Sequence, residues 1–199
     1  MVYFKKINKE LEWLKKPLDW KFLDDNQLMI TAGAQTDLFI DPQKKELYDK
    51  LPKLLFEPDN KYRIQAKVKV NFKDTFDAGV IIIYADNTHW AKFCFEFSPQ
   101  HDPTIVSVVT NEYSDDCNST VIDNNEVYLR IARIDKDVYA FHYSLDKKFW
   151  YLVRFFSLKS DKTPKLGFAA QSPKGEKCKV IFSEIDYKKE ELENIRDGS

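Results

Sequence analysis

Residues 89–97 read HWAKFCFEF. In an extended strand, side chains alternate between faces, so Phe93, Phe95 and Phe97 share one side while Trp90, Lys92, Cys94 and Glu96 share the other. The first side reads as core. The second sets an ammonium and a carboxylate into an apolar run, and the question is what they face.

Working outward, the same strand character recurs in KYRIQAKVKVNF (61–72), AGVIIIYA (78–85), TIVSVVTN (104–111), EVYLRIARI (126–134), VYAFHYSL (138–145), WYLVRFFSL (150–158), KLGFAAQ (165–171) and CKVIFSEIDY (178–187). Asp24, Asp25 and Asn26 mark a hairpin between LDWKF and QLMITA, and Asp86-Asn87 marks another. SPQHDP, SDDCNS, KSDKTP and SPKGEK read as longer polar connections. About a dozen strands are too many for one flat sheet and fit a two-layer β-sandwich. Helix is expected only at 8–16, before Pro17, and at 44–51, before Pro52, with a charged tail from Lys188 that frays or forms a short helix. The expected fold is therefore all-β, two antiparallel sheets with few short helices. It forms one domain over 1–199, with its core at about 15–187.

Composition agrees: 15 Phe, 10 Tyr and 4 Trp stand against 2 Met in 199 residues, a bias that suits pleated, half-buried surfaces. The net charge of −1 provides no field for phosphate backbones or anionic lipid, so neither nucleic acid nor a membrane is an expected partner. The longest apolar run, residues 78–85, is too short to cross a bilayer, and MVYFKKINKE lacks a signal-peptide core. The odd set Cys94, Cys117 and Cys178 has no CxxC spacing, which argues for a reducing compartment and against a structural metal. A cytoplasmic protein without cofactor is the expectation.

Lys92 and Glu96 are four residues apart, roughly 13 Å along a strand, so Glu96 needs a partner from a neighbouring strand. Arg130 or Arg133, His142 and Arg154 are candidates, each a polar residue inside an apolar strand. A two-residue turn in the hairpin 126–145 puts Arg133 on the face of His142, and a three-residue turn puts Arg130 there. Both registers stay open. A structural face of cross-strand ion pairs competes with a polar groove in which Trp90, backed by Tyr84, is an aromatic platform beside Lys92. A glycosidase pair would need a second carboxylate from Glu112, Asp115 or Asp116. Lys92 on the same face lowers the Glu96 pKa and opposes a general-acid role. Cys94 reads as a small core hydrophobe, the cluster 114–118 as a solvated turn, and the 5 scattered glycines exclude a phosphate-cradling loop.

Several spaced motifs together carry a family resemblance: Trp90-x-Lys92-x-x-x-Glu96, SVVT at 107–110, YSD at 113–115, YSLDKKFW at 143–150, Arg154 and GFAAQSP at 167–173. They resemble a family of concanavalin-A-like jelly-roll domains of largely unknown activity, over roughly 15–187. The departure from that pattern is Asp146-Lys147, where related domains often have Asp-Gly. Fungal members are named for regulation of enolase. The resemblance implies a cytoplasmic regulatory role with enolase as partner. It also implies a curved sheet able to take a carbohydrate or sugar phosphate on Trp90, Lys92, Glu96, Ser107, His142 and Gln171, with Arg133 or Arg154 as ion partners. With no second carboxylate assured, no hydrolysis is expected.

Overall fold

The computed structural model describes residues 1–199 and contains strands, turns and bends but no α-helix. The chain begins with β1 (Val2–Phe4), β2 (Lys9–Leu14), β3 (Asp19–Asp24), β4 (Gln27–Gly33), β5 (Leu38–Ile40) and β6 (Leu47–Asp49). It continues with β7 (Lys53–Phe56), β8 (Tyr62–Val70), β9 (Ala78–Asp86), β10 (His89–Phe97), β11 (Pro103–Asn111) and β12 (Tyr113–Val121). The last strands are β13 (Glu126–Asp135), β14 (Val138–Ser144), β15 (Tyr151–Ser157), β16 (Lys165–Gln171) and β17 (Lys177–Lys188).

An eight-stranded sheet runs in the order β1-β2-β7-β16-β9-β10-β11-β12 and a seven-stranded sheet in the order β15-β14-β13-β8-β17-β4-β3. Strands β5 and β6 form a separate hairpin. Between the two large sheets lies a core of 34 buried apolar residues that includes Phe93 and Phe95, with Phe93 stacked on Phe141 of the other sheet at 4.7 Å. At Gly79 the opposite sheet packs directly against the strand. A Cβ there would stand 2.5 Å from Val68 and 2.7 Å from Val180 of the opposite sheet, so a side chain would force the layers apart.

A second cluster of 12 buried residues lies on the other face of the eight-stranded sheet, under the β5–β6 hairpin. It contains Trp90, Cys94, Val80, Ile82, Val106 and Val108, together with Leu38 and Leu51. Both faces of β10 are therefore covered. The hairpin is tied down at its far side where Ile40 N donates to the Ser114 hydroxyl at 2.9 Å.

Four local expectations change. Residues 9–14 are a strand because Leu11 and Trp13 alternate with Glu10 and Glu12, and Leu11 enters the core while Trp13 packs on Trp20 at 5.5 Å. Residues 44–51 hold only the short strand β6. The polar run SDDCNS belongs to β12, an edge strand paired through its backbone to β11 and mostly exposed, so it carries no apolar alternation. The segment after Lys188 is not helical: Glu190 binds Arg63 at 2.5 Å, Glu191 binds Lys61, and the chain turns back on itself at 194–199.

Candidate functional site

Register decides which polar groups meet. Glu96 lies opposite Ala78 on β9, and Ala78 lies opposite Gln171 on β16. The methyl between them lets Gln171 span the strand, and its Nε2 donates to Glu96 Oε2 at 3.2 Å and to the Phe76 carbonyl at 3.1 Å. Its Oε1 accepts from Lys92 Nζ at 3.1 Å. Lys92 also donates to Asp37 Oδ1 at 2.9 Å. The partner Glu96 needed is thus an amide two strands away, which relays it to Lys92 and Asp37.

Two loops are pinned to this relay by the residue after Gln171. Ser172 N donates to Thr36 Oγ1 at 2.9 Å, fixing the approach to Asp37. The Ser172 hydroxyl donates to Asp77 Oδ1 at 2.7 Å, while Asp77 Oδ2 accepts from the backbone N–H of Lys73 and Asp74. Desolvation raises the Asp77 pKa although these hydrogen bonds oppose it. Phe76 sits in the left-handed region at φ 69°, a conformation that costs a non-glycine residue about 1 kcal/mol or more. The bonded loop holds it there, with its carbonyl on Gln171.

Above the relay is a cavity of about 220 Å³ lined by Asp37, Phe39, Glu46, Tyr48, Phe76, Lys92, Glu96, Val108, Asp116, Gln171, Pro173 and Lys174. Lys92 is 2 % exposed and Glu96 8 %. Burial would push the Lys92 ammonium down, yet Asp37, Cys94 and Glu96 outweigh it and its pKa is raised. Burial pushes the Glu96 carboxyl up to about 8. Lys92 pulls the other way without prevailing, and Asp37 and Asp116 add to the rise. The expected lowering by Lys92 has the right sign but loses to desolvation. Near neutral pH, Glu96 is therefore protonated to a large degree and can both donate and accept. Asp116, on β12 at the rim, is also raised by desolvation against the pull of Lys92.

The structure brings Lys92, Glu96 and Gln171 together and disperses the other sequence candidates. Trp90 shares their face but is fully buried in the second cluster with Tyr84, so the two form no open platform. Ser107 pairs with Phe93 and therefore points into the space between the sheets, where Arg154 Nη1 reaches it at 3.4 Å. Arg154 itself pairs with Asp115 at 2.6 Å. Arg133 bonds the Lys136 carbonyl at one end of the sandwich. His142 stands opposite Arg130 on the seven-stranded sheet, because a bulge between Arg133 and Asp135 shifts the hairpin by one residue. None of Ser107, Arg133, His142 and Arg154 lines the cavity. Sequence reasoning missed Asp37, Phe39, Tyr48 and Phe76, which come from the hairpin and a loop distant in the chain.

The family described as Protein of unknown function (DUF1349) matches residues 13–190. "Regulation of enolase protein 1" of Saccharomyces cerevisiae is 28% identical over 174 residues, 86% of each chain. A crystal structure of a functionally unknown protein from Saccharomyces cerevisiae superposes with a TM-score of 0.82 at 26% identity, covering 90% of this chain and 96% of that one. A mutant of the GH43 protein BlXynB from Bacillus licheniformis superposes with a TM-score of 0.72 at 16% identity, covering 90% of this chain but 37% of that one. These likenesses place the two-sheet architecture among jelly-roll β-sandwiches, as the resemblance implied.

Proposed function

The chain belongs to the family described as Protein of unknown function (DUF1349), and from that kinship we propose that it is a non-catalytic regulatory module that binds a small polyhydroxylated ligand. The ligand, a carbohydrate or sugar phosphate, occupies the cavity over Glu96. The observation that carries this reading is the bonding state of the floor. Gln171 has both amide ends committed, which holds Lys92 and Glu96 in place, so Glu96 presents a mostly neutral carboxyl with donor and acceptor capacity to spare. Phe39, Tyr48 and Phe76 add apolar walls. Convergent hydroxyls above a donor–acceptor floor with aromatic sides are what a sugar supplies. Kinship with the yeast protein named for regulation of enolase supports regulation as the outcome of binding, with enolase as the proposed partner and the cytoplasm as the proposed compartment.

A protonated glutamic acid also suits general-acid catalysis, and a hydrolase would need a second carboxylate positioned with it. Asp116 stands opposite Val108, and Val108 opposite Lys92. That places Asp116 level with Lys92, four residues along the sheet from Glu96, with both carboxyls lining the same cavity. Asp37 is engaged by Lys92.

The test is a thermal-shift screen with mono- and oligosaccharides and sugar phosphates, repeated with Glu96→Leu. A ligand of the folded state raises the unfolding temperature once its concentration exceeds Kd. A shift present in the wild type and lost in the variant is expected. If no compound shifts the wild-type protein, the cavity is not a carbohydrate site.

A further inference from the structure

The outward face of the seven-stranded sheet carries a second polar cluster. Arg130 on β13 stands opposite Gln65 on β8 and opposite His142 on β14. Its guanidinium lies 3.5 Å from the Trp150 ring centroid, and its Nε and Nη2 donate to Gln65 Oε1 at 2.9 and 2.7 Å. Arg130 is 6 % exposed and His142 fully buried. The cluster is sealed by residues 194–199, where the Gly198 carbonyl accepts from Arg130 Nη1 and the Ile195 carbonyl accepts from His142 Nε2 at 2.7 Å.

The covering segment meets the charge with neutral oxygens only. The nearby acids Asp186 and Glu190 are taken by Arg63. Asp197, one residue before Gly198, turns its carboxylate onto Ser199 and Asn194. Arg130 is left as a buried cation with no acid in ion-pair contact, Asp186 and Glu190 acting on it only at longer range, a costly state. Burial, aided by Arg63, lowers its pKa. The segment enters through glycine alone: Gly198 has φ +73°, and a Cβ there would lie 2.9 Å from Trp150 Cβ, 3.2 Å from His142 Cδ2 and 3.3 Å from Arg130 Nη1. Three side chains thus converge on one small space.

We propose that the Arg130–His142–Trp150 cradle is a carboxylate-binding site, held in cis by the carbonyls of Ile195 and Gly198 and opened when residues 194–199 lift away. One carboxylate replaces both carbonyls, accepting from Arg130 Nη1 and from the His142 Nε2–H, and supplies the missing counter-charge. The aromatic face of Trp150 holds the guanidinium flat for that contact. Occupancy by the segment lowers the apparent affinity by the fraction of time the cradle is open.

The test titrates the full chain with N-acetylglycine, which offers a carboxylate, and with N-acetylglycinamide, its neutral counterpart. The His142 imidazole and Trp150 indole resonances are followed by NMR. Saturable shifts with the acid alone are expected, with affinity at least tenfold higher in Gly198→Val, whose side chain cannot fit the cradle, and loss of binding in Arg130→Gln. An equal response to acid and amide, or no saturable response in either wild type or Gly198→Val, overturns the carboxylate site. Equal affinity in wild type and Gly198→Val overturns occupancy in cis. The acid-against-amide comparison in the wild type needs no substitution and stays decisive if Arg130→Gln fails to fold.

Discussion

The two sheets each turn one face outward, and each outward face buries a basic residue within an apolar strand, Lys92 on β10 and Arg130 on β13. Their surroundings differ. Lys92 has an acid, Asp37, at 2.9 Å and an open cavity above it. Arg130 has an amide, a carbonyl and an aromatic ring, and the chain itself closes over it. What separates the two faces is the cover. A hairpin anchored at its rim leaves a cavity over the first, whereas a glycine-containing turn laid flat leaves none over the second.

The comparison breaks most sharply at the ion pair. Lys92→Ala leaves Asp37 beside a buried void and takes one bond from Gln171, so stability falls by about 3 kcal/mol or more in urea unfolding. A loss below about 1 kcal/mol would show that Asp37 simply turns to water and that the relay is not a unit.

Titration sharpens the contrast next. The folded-state pKa of Glu96, about 8, exceeds the ordinary 4.5. The folded protein therefore holds the proton more tightly, and the contribution of Glu96 to stability is greatest below pH 4.5 and falls as pH rises towards 8, by at most about 1.4 kcal/mol per pH unit. Lys53, on the same sheet, buried and lowered to about 8 by desolvation, has the opposite slope. It holds its proton less tightly when folded, so stability rises between pH 8 and 10.5. Unfolding measured across pH 5–10 should pass through a minimum near pH 8. Glu96→Gln, which mimics the protonated acid, should remove the falling limb. An unchanged falling limb in that variant would assign the slope to another group.

Much of the first face was legible in sequence and little of the second. Alternation in HWAKFCFEF separated Phe93 and Phe95 from Lys92 and Glu96, and Gln171 was named with them. Which other candidates joined them depended on strand order and register, which alternation within one strand does not carry. Ser107 faces the core because it pairs with Phe93, and a single bulge put Arg130 rather than Arg133 beside His142. Asp37 and Tyr48 were invisible because nothing in their local pattern says that a short hairpin folds onto β10. Asp116 was named as a possible second carboxylate but placed in a loop, since an edge strand exposed on both sides shows no period. The helix expected at 8–16 was a misreading of a period that was present, with Leu11 and Trp13 two residues apart.

A smaller effect tests the sealed face. Trp150→Leu keeps the packing volume in part but removes the ring under the Arg130 guanidinium. We expect a loss of about 1–2 kcal/mol, accompanied by faster amide exchange at 194–199 and no change at Asp37 or Gln171. Equal loosening of both faces would mean that they do not respond independently.

The smallest effect lies at the seam between the sheets, where Arg154 of β15 reaches Asp115 of β12 at 2.6 Å. Proximity alone would rank this pair with Lys92–Asp37, which has a longer separation of 2.9 Å. Burial reverses the ranking. The Asp115 side chain is 71% exposed, so water solvates it whether or not the arginine is present, and salt screens what attraction remains. Arg154 keeps contacts with the Asp115 carbonyl and the Ser107 hydroxyl when the carboxylate is gone. Asp115→Ala should therefore cost less than about 1 kcal/mol, and the difference should shrink further in 1 M salt, whereas the Lys92→Ala loss should persist there. A salt-resistant loss at Asp115 comparable to that at Lys92 would mean that the seam is closed to solvent and that the two pairs differ in geometry rather than in burial.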